Sequence, residues 1–338
     1  MPGFAASLFR YAVAAALLAL AGSPTRAQAQ QLQDIVIALP AYSLSFSFEF
    51  IAEDMGLYEK HGLRVKSIVL PGVGAINGVI SGSTEFGVSS SISLTHAAAH
   101  GQKLLAIAET TDHVIVQIVL RKELVPGFDA TAPLEKRALL LRGKTIAVDA
   151  INSLIHAYVR MLAKRAGYSQ DDIHVAVMQP PNMEAALEAK QIDGFAMSPP
   201  WPEKPVLEGT AVMIASGPDG EPADLLPFAN NVILTRPDTC EKRRALCEGV
   251  GQAAYEAMRY LKDKPVETLA ILKKHFPTLD DKLLAASFEV IRKITPVPPA
   301  VSAAGLANAE AFNIGAGLMK PEEKLKSYDG LFTDQYVR

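Results

Sequence analysis

The feature that most constrains this chain is a rhythm. Short β-type runs alternate with stretches of helical spacing, and the series occurs twice. In the first series, strands are expected at 34–39, 64–70, 85–89 and 103–108. Helices fall at 46–55, at 72–80 and from 90 to His100, where Gly101 supplies a C-terminal stop. Such alternation predicts a mostly parallel sheet with helices on both faces. A long strand at 113–120 follows, and a loop with Pro126, Gly127 and Pro133 breaks the pattern. The second series has strands at 144–148, 173–177, 194–197 and 211–215, with helices at 153–167 and 183–189. A Gly/Pro/Asp-rich link at 217–227 leads to a strand at 229–234, and beyond Pro237 the pattern is helical at 238–262, 265–275, 280–293 and 303–317. The pattern predicts two α/β lobes: 30–115 with 228–338, and 116–227 between them. The C-terminal helices would pack back on the first lobe. The chain would cross near His113 and return near Asn230, and two crossings make a hinge. The cleft between the lobes is then the default ligand site.

The length of 338 residues suits two such lobes. With 49% hydrophobic and 20% charged residues, a sizeable core can form, which excludes a disordered chain or a coiled coil. A formal net charge of -3 speaks against a nucleic-acid binder. The N-terminus reads as an address. Arg10 precedes an apolar run at 11–21, Gly22, Ser23 and Pro24 break it, and Ala27-Gln28-Ala29 has the small-x-small form of a cleavage site. The run is far short of the roughly 20 residues that span a bilayer. A signal peptide at 1–29 is therefore expected, with a soluble exported chain beyond it. No Cys near the cleavage point indicates a lipid anchor. Cleavage would remove Arg10 and Arg26 and no acid, making the mature chain more acidic. Cys240 and Cys247 lie in a segment that reads as one capped helix. Seven helical residues rise about 10.5 Å, and a disulfide needs Cα atoms within about 7 Å. Two free thiols are expected unless the first turn is unwound.

Four segments carry a family resemblance. Residues 56–63 (GLYEKHGL) resemble a segment of the nitrate/sulfonate/taurine-type solute-binding proteins of ABC importers, a group that includes binders of thiamine-pyrimidine precursors. Residues 80–87 resemble that family's Gly-x-x-Asp element, with Glu85 where Asp is usual. Residues 141–148 resemble the opening of its second lobe. Residues 183–193 resemble a further element, with Lys190 where Gly is usual. The resemblance implies a two-lobed periplasmic binding protein fold of type II, with two hinge crossings and the C-terminal helices on lobe 1. It implies a monomeric periplasmic receptor that captures a small-molecule ligand and hands it to an inner-membrane permease with its ATPase. A sulfonate, an aromatic carboxylate or a similar organic anion is the expected solute. A pyrimidine-type thiamine precursor, an enzyme on the same fold, or a chemosensory partner of a membrane kinase are the alternatives. The chain has no phosphate-binding Gly-x-x-x-x-Gly-Lys-Ser/Thr loop, so it is not the ATPase itself.

In open α/β sheets, ligands bind beyond the carboxyl ends of the strands, where helix N-termini point outward. The positions that fit are Tyr42 and Ser43 after the first strand, Gly72, Val73 and Gly74, then Ser89, Ser90 and Ser91, and in lobe 2 Asn152 and Ser153. Ser43, Ser91 and Asn152 or Ser153 equally suit ordinary helix N-caps. Trp201, the only Trp, follows Ser198 in a Pro-rich loop after the 194–197 strand. A rigid indole there is a stacking platform for a flat ligand, with Tyr42 as the opposing wall. Asp149 beside the site disfavours a strongly anionic solute unless Arg121, His113 or His156 neutralises it. A monoanion, zwitterion or neutral aromatic is favoured over nitrate-like or sulfate-like ions. His96 and His100 have the i, i+4 spacing of metal ligands, but Ala97 replaces the Glu of a His-Glu-x-x-His motif. His100 also ends a helix, where positive charge suits the dipole, so no metal is expected. Neither a Gly-x-Ser-x-Gly elbow nor a Ser-x-x-Lys arrangement at 89–91 is present. No catalytic residue and no cofactor are expected, and the chain reads as a receptor rather than an enzyme.

Overall fold

The computed structural model describes residues 32–151 and 153–338. The expected leader at 1–29 and the candidate Asn152 lie outside the described residues. From Gln33 onward the chain forms one compact unit built on two five-stranded sheets. The first holds β1 (Gln33–Leu39), β2 (Leu63–Val69), β3 (Phe86–Ser90), β4 (Leu105–Thr111) and β10 (Asn231–Thr235) in the order β2-β1-β3-β10-β4. The second holds β5 (Gln117–Arg121), β6 (Thr145–Val148), β7 (His174–Val177), β8 (Gly194–Met197) and β9 (Ala211–Ser216) in the order β7-β6-β8-β5-β9.

Each sheet contains one strand from the other side of a crossing. β10 runs antiparallel between β3 and β4, and β5 runs antiparallel between β8 and β9. The remaining pairs are parallel. Both crossings leave from the carboxyl ends of strands, so the chain enters the next sheet at that same edge and must run back through it. The strand expected at 113–120 therefore starts only at Gln117. Val114, Ile115 and Val116 belong to the crossing, yet they are buried, and their apolar character is what reads as strand. The two crossings are tied to each other. Gly217 N–H donates to the Val116 carbonyl at 2.9 Å. A Cβ on Gly217 would lie 2.3 Å from the Val114 carbonyl oxygen, so only glycine permits this approach.

Helices cover both faces of both sheets. They are α1 (Ser47–Asp54), α2 (Leu57–Lys60), α3 (Gly74–Ser81), α4 (Ser91–Ala99), α5 (Leu134–Ala138), α6 (Leu154–Arg165), α7 (Pro180–Glu188), α8 (Glu203–Leu207), α9 (Pro237–Lys242), α10 (Arg244–Asp263), α11 (Pro265–His275), α12 (Asp281–Ile294) and α13 (Ala303–Gly315). Ile35 and Ile37 of β1 meet Phe50 of α1, Met258 of α10 and Phe288 of α12 on one face of the first sheet. Val232 and Leu234 of β10 meet Val79 of α3 and Leu94 of α4 on the other. In β5, Ile118 and Leu120 face Tyr158 and Leu162 of α6, while Val119 faces Met183 and Leu187 of α7. Successive strand residues thus serve opposite cores. Each such side chain contributes about 1.5–3 kcal/mol on burial.

α10, α11 and α12 pack on the first sheet. α13 does more. It places Leu306 in the first sheet's core and Ala309 and Phe312 in the second's, so it bridges the two. The expectation of free thiols is overturned: Cys240 and Cys247 form a disulfide, with Cα atoms 5.6 Å apart. The single helix expected at 238–262 is interrupted at Arg243, whose φ of −134° and ψ of 54° are not helical. That break, between α9 and α10, removes the rise that would have kept the two sulfurs apart.

Candidate functional site

A cleft of about 740 Å³ opens where the strand ends of both sheets meet α13. Three helix N-termini come to it. α3 follows Val73, α4 follows Ser90, and α6 follows Ser153. The two serines are true caps. Ser90 Oγ accepts the Ser93 N–H at 3.2 Å, and Ser153 Oγ accepts the His156 N–H at 3.2 Å. The aligned peptide dipoles make this wall electropositive without any fixed cation.

Of the residues expected from sequence, Gly72, Val73, Ser89, Ser90 and Ser153 line the cleft together. The others are placed elsewhere. Gly74 opens α3 but packs on Leu70, where a Cβ would come within 3.1 Å. Ser91 is buried, and its hydroxyl donates to the Ala229 carbonyl of the returning crossing. Ser43 caps a short 3-10 turn at Leu44–Phe46. Tyr42 is half-exposed, with its ring 4.8 Å from Phe50 and 5.1 Å from Phe276, and its hydroxyl 3.0 Å from His275 Nδ1. Trp201 packs at the edge of the core of Met183 and Phe195, and its backbone N–H donates to the Ser198 carbonyl at 3.4 Å. Neither Tyr42 nor Trp201 is among the residues lining the cleft. Strand order alone suggested them, whereas the ring of Tyr42 packs beside Phe50 and Phe276 and that of Trp201 beside the core of Met183 and Phe195. His113 and Asn230 do stand in the crossings. His113 Nδ1 is 2.6 Å from Asp112 Oδ1, and Asn230 Nδ2 donates to Thr111 Oγ1 at 3.0 Å.

Several lining residues were missed by sequence reading. Asn77 lies on the first turn of α3, Ser93 and His96 on α4, Asn231 at the start of β10, and Asn313 on α13. Ser93 was within reach, since it follows the serine run. Asn231 and Asn313 arrive only through the returning strand and the bridging helix. Asn313 stands out chemically. Its side chain is 1% exposed, and neither its amide nitrogen nor its amide oxygen has a hydrogen-bond partner among the described residues. A buried unpaired amide costs free energy, about 1–3 kcal/mol, unless something in the cleft completes it. Ile76, Ile80, Ile92, Leu154, Leu318 and Met319 supply the apolar part of the wall.

Among the described residues, the cleft lining contains no carboxylate, no lysine and no arginine, and His96 is its one titratable side chain. Asp149 is turned to local use. Its Oδ1 accepts the Ser153 hydroxyl at 2.5 Å and the Ala150 N–H at 2.8 Å. Arg121 is paired with Glu123 and with Asp193, not with Asp149. His156 is held below the usual imidazole range by burial and by Arg160, against the opposing pull of Asp149. A second cavity, of about 510 Å³, lies among Arg121, Lys190 and Lys204. Its charges are already matched, with Lys204 within 3.2 Å of Glu184 and 3.5 Å of Glu188, and Lys190 within 2.9 Å of Glu123. The first cleft, where three helix N-termini converge, is the stronger candidate.

Two open sheets joined by paired crossings, with a cleft of helix N-termini at their strand ends, are the architecture of a periplasmic binding protein. The family model described as NMT1/THI5 like matches residues 44–268, and the chain belongs to that family. A Brucella abortus (strain 2308) protein named as a candidate binding protein is 28% identical over 216 residues. The match covers 60% of this chain and 61% of that protein, so the chain spans about three fifths of the curated relatives it matches. The periplasmic aliphatic sulphonate binding protein SsuA from Escherichia coli superposes with a TM-score of 0.67 at 18% identity, covering 88% of this chain and 92% of that one. The alkanesulfonate-binding protein SsuA from Xanthomonas axonopodis pv. citri, bound to MOPS, gives 0.64 at 20% identity, covering 87% and 96%. These structures share the fold.

Proposed function

We propose that this chain is the solute receptor of an ABC-type importer and captures a small organic monoanion, a sulfonate or a carboxylate with an apolar body. The observation that carries the reading is the cleft: three helix N-termini and the orphan amide of Asn313 reach it, apolar side chains line it between them, and none of the described lining residues is a carboxylate. Helix dipoles and neutral donors hold an anion without a full counter-charge, which keeps release feasible. The lobes 30–115 with 228–338 and 116–227 would close on the solute about the crossings at His113 and Asn230. The receptor is non-catalytic and works in the periplasm as a monomer, handing its solute to an inner-membrane permease and its ATPase. The disulfide supports export, since such bonds persist in oxidising compartments. The names of the sulfonate-binding structures above support the solute class.

Thermal unfolding with alkanesulfonates, aromatic carboxylates, nitrate and a pyrimidine thiamine precursor tests this, because a bound solute stabilises by mass action. A sulfonate or carboxylate should raise the midpoint, bind with a stoichiometry of one and be recovered unchanged. Asn313→Ala should weaken that binding by roughly ten-fold while the free protein keeps or gains stability. Stabilisation by the pyrimidine alone, or chemical conversion of the solute, would replace the anion-receptor reading.

A further inference from the structure

We infer that His96, His100 and Glu323 form a binding site for a divalent transition-metal ion of the zinc type, where α4 meets the C-terminal segment. The inference does not depend on the transport reading. Sequence spacing supplies only two imidazoles, four residues apart on α4. The fold supplies the third ligand from the far end of the chain, and the three ligand atoms lie within 4.8 Å of one another.

One edge of the group already has the spacing that a bound ion would set. His100 Nε2 stands 3.5 Å from Glu323 Oε1. A tetrahedral zinc with bonds of about 2.0–2.1 Å spaces its ligands about 3.4 Å apart. His100 Nδ1 is 2.9 Å from the His96 carbonyl oxygen. A ring that donates there presents its Nε2 lone pair outward, which is the outer-shell arrangement that orients metal-bound histidines. The imidazoles of His96 and His100 lie side by side, with centroids 4.5 Å apart. Glu323 is equally prepared. Its Oε2 accepts the Lys320 N–H at 2.8 Å, which leaves Oε1 towards the histidines. The segment that carries it is fixed by buried Glu310 of α13, which accepts the Leu325 N–H at 2.9 Å and the Tyr328 hydroxyl at 2.6 Å.

Two imidazoles and one carboxylate select zinc, nickel or copper(II) over magnesium or calcium, which prefer all-oxygen sets. Three protein ligands leave a fourth position for water. Both histidines are exposed, so an ion can enter and exchange. His96 also lines the cleft, so a bound ion would add positive charge to its wall.

The test uses the untagged protein after dialysis against a chelator. Zinc is titrated by calorimetry, and cobalt(II) by its visible d–d bands, which are intense only in a four-coordinate site. One ion per chain is expected, with those bands present. His96→Ala, His100→Ala and Glu323→Gln should each weaken binding by roughly ten-fold or more, and His61→Ala, which lies by Glu256 at another place, should not. The substituted histidines are exposed, so each variant should retain the circular dichroism of the parent. No saturable zinc binding, cobalt spectra without those bands, or affinity unchanged in the three variants would overturn the site.

Discussion

Lys190 shows how much a single backbone position can store. It follows the end of α7 with φ of 59°, the one non-glycine residue at positive φ among the described residues. The hydrogen bonds around it are those of a Schellman motif: Lys190 N–H to the Leu187 carbonyl at 3.1 Å, and Gln191 N–H to the Ala186 carbonyl at 2.8 Å. Glycine is the natural residue there, because a Cβ in the left-handed region crowds the following carbonyl. The family's usual glycine at this place has that physical cause. Lys190→Gly should therefore raise unfolding stability by about 0.5–1 kcal/mol. The exposed contact with Glu123 that it removes contributes little. Urea denaturation checks this, and a loss of stability would show that the lysine contact matters more than the backbone. Glu85, the other departure from the family pattern, is explained by reach: its Oε2 accepts the Val36 N–H of β1 at 2.9 Å.

At the scale of elements, the break between α9 and α10 has the largest consequence. Interrupting a helix at Arg243 forfeits hydrogen bonds, and a covalent link across the break offsets that cost. Both cysteines are buried, Cys247 completely. The folded protein should show no thiol reactive to maleimide until it is denatured in the presence of reductant. The Cys240→Ser/Cys247→Ser double variant should lose about 2–3 kcal/mol of stability, the loop-closure value for so short a ring. A thiol titrated in the unreduced, denatured protein would contradict the bond. Helical spacing predicted the opposite, because periodicity cannot report where a helix stops for one residue and resumes. By contrast, most strand ends are legible to within two or three residues. β7 and β8 are bounded by turn residues and filled with β-branched or apolar side chains, so local pattern and tertiary role agree.

At the scale of the whole molecule, the crossing region concentrates buried acids. Glu109, two residues before Thr111 on β4, is held by burial, with Asp112 adding to it, at a pKa of about 9. Glu203 on α8 is raised by burial to about 7, against the pull of the Gln117 amide beside it. In each case the folded state keeps a proton that the unfolded chain releases above about pH 4.3. This contribution is complete at acid pH and is lost as pH rises towards the folded value. It amounts to about 1.4 kcal/mol for each pH unit per group. Stability should thus fall between about pH 6 and about pH 8, and Glu109→Gln, which mimics the neutral acid, should flatten the fall. Denaturant melts at the two pH values measure it; parallel slopes for parent and variant would show that Glu109 ionises freely in the fold.

The sequence by itself determined the two α/β series and the capping Ser153 of α6, while the cap of α4 is Ser90, one residue before the expected Ser91. Those features depend on residues within one or two turns of each other, where propensity and hydrogen bonding act. Only the tertiary structure decided the rest. β10 brings Asn231 to the cleft from beyond the second sheet, α13 brings Asn313 from the chain's last fifth, and the segment after it sets Glu323 against His100. Tyr42 and Trp201 are absent from the cleft lining and pack beside Phe50 and beside the core of Met183 and Phe195. The physical reason is common to all of them. Which residues a cleft presents is fixed by how helices pack and where a strand is inserted, and those contacts join positions too far apart in the chain for any local pattern to record.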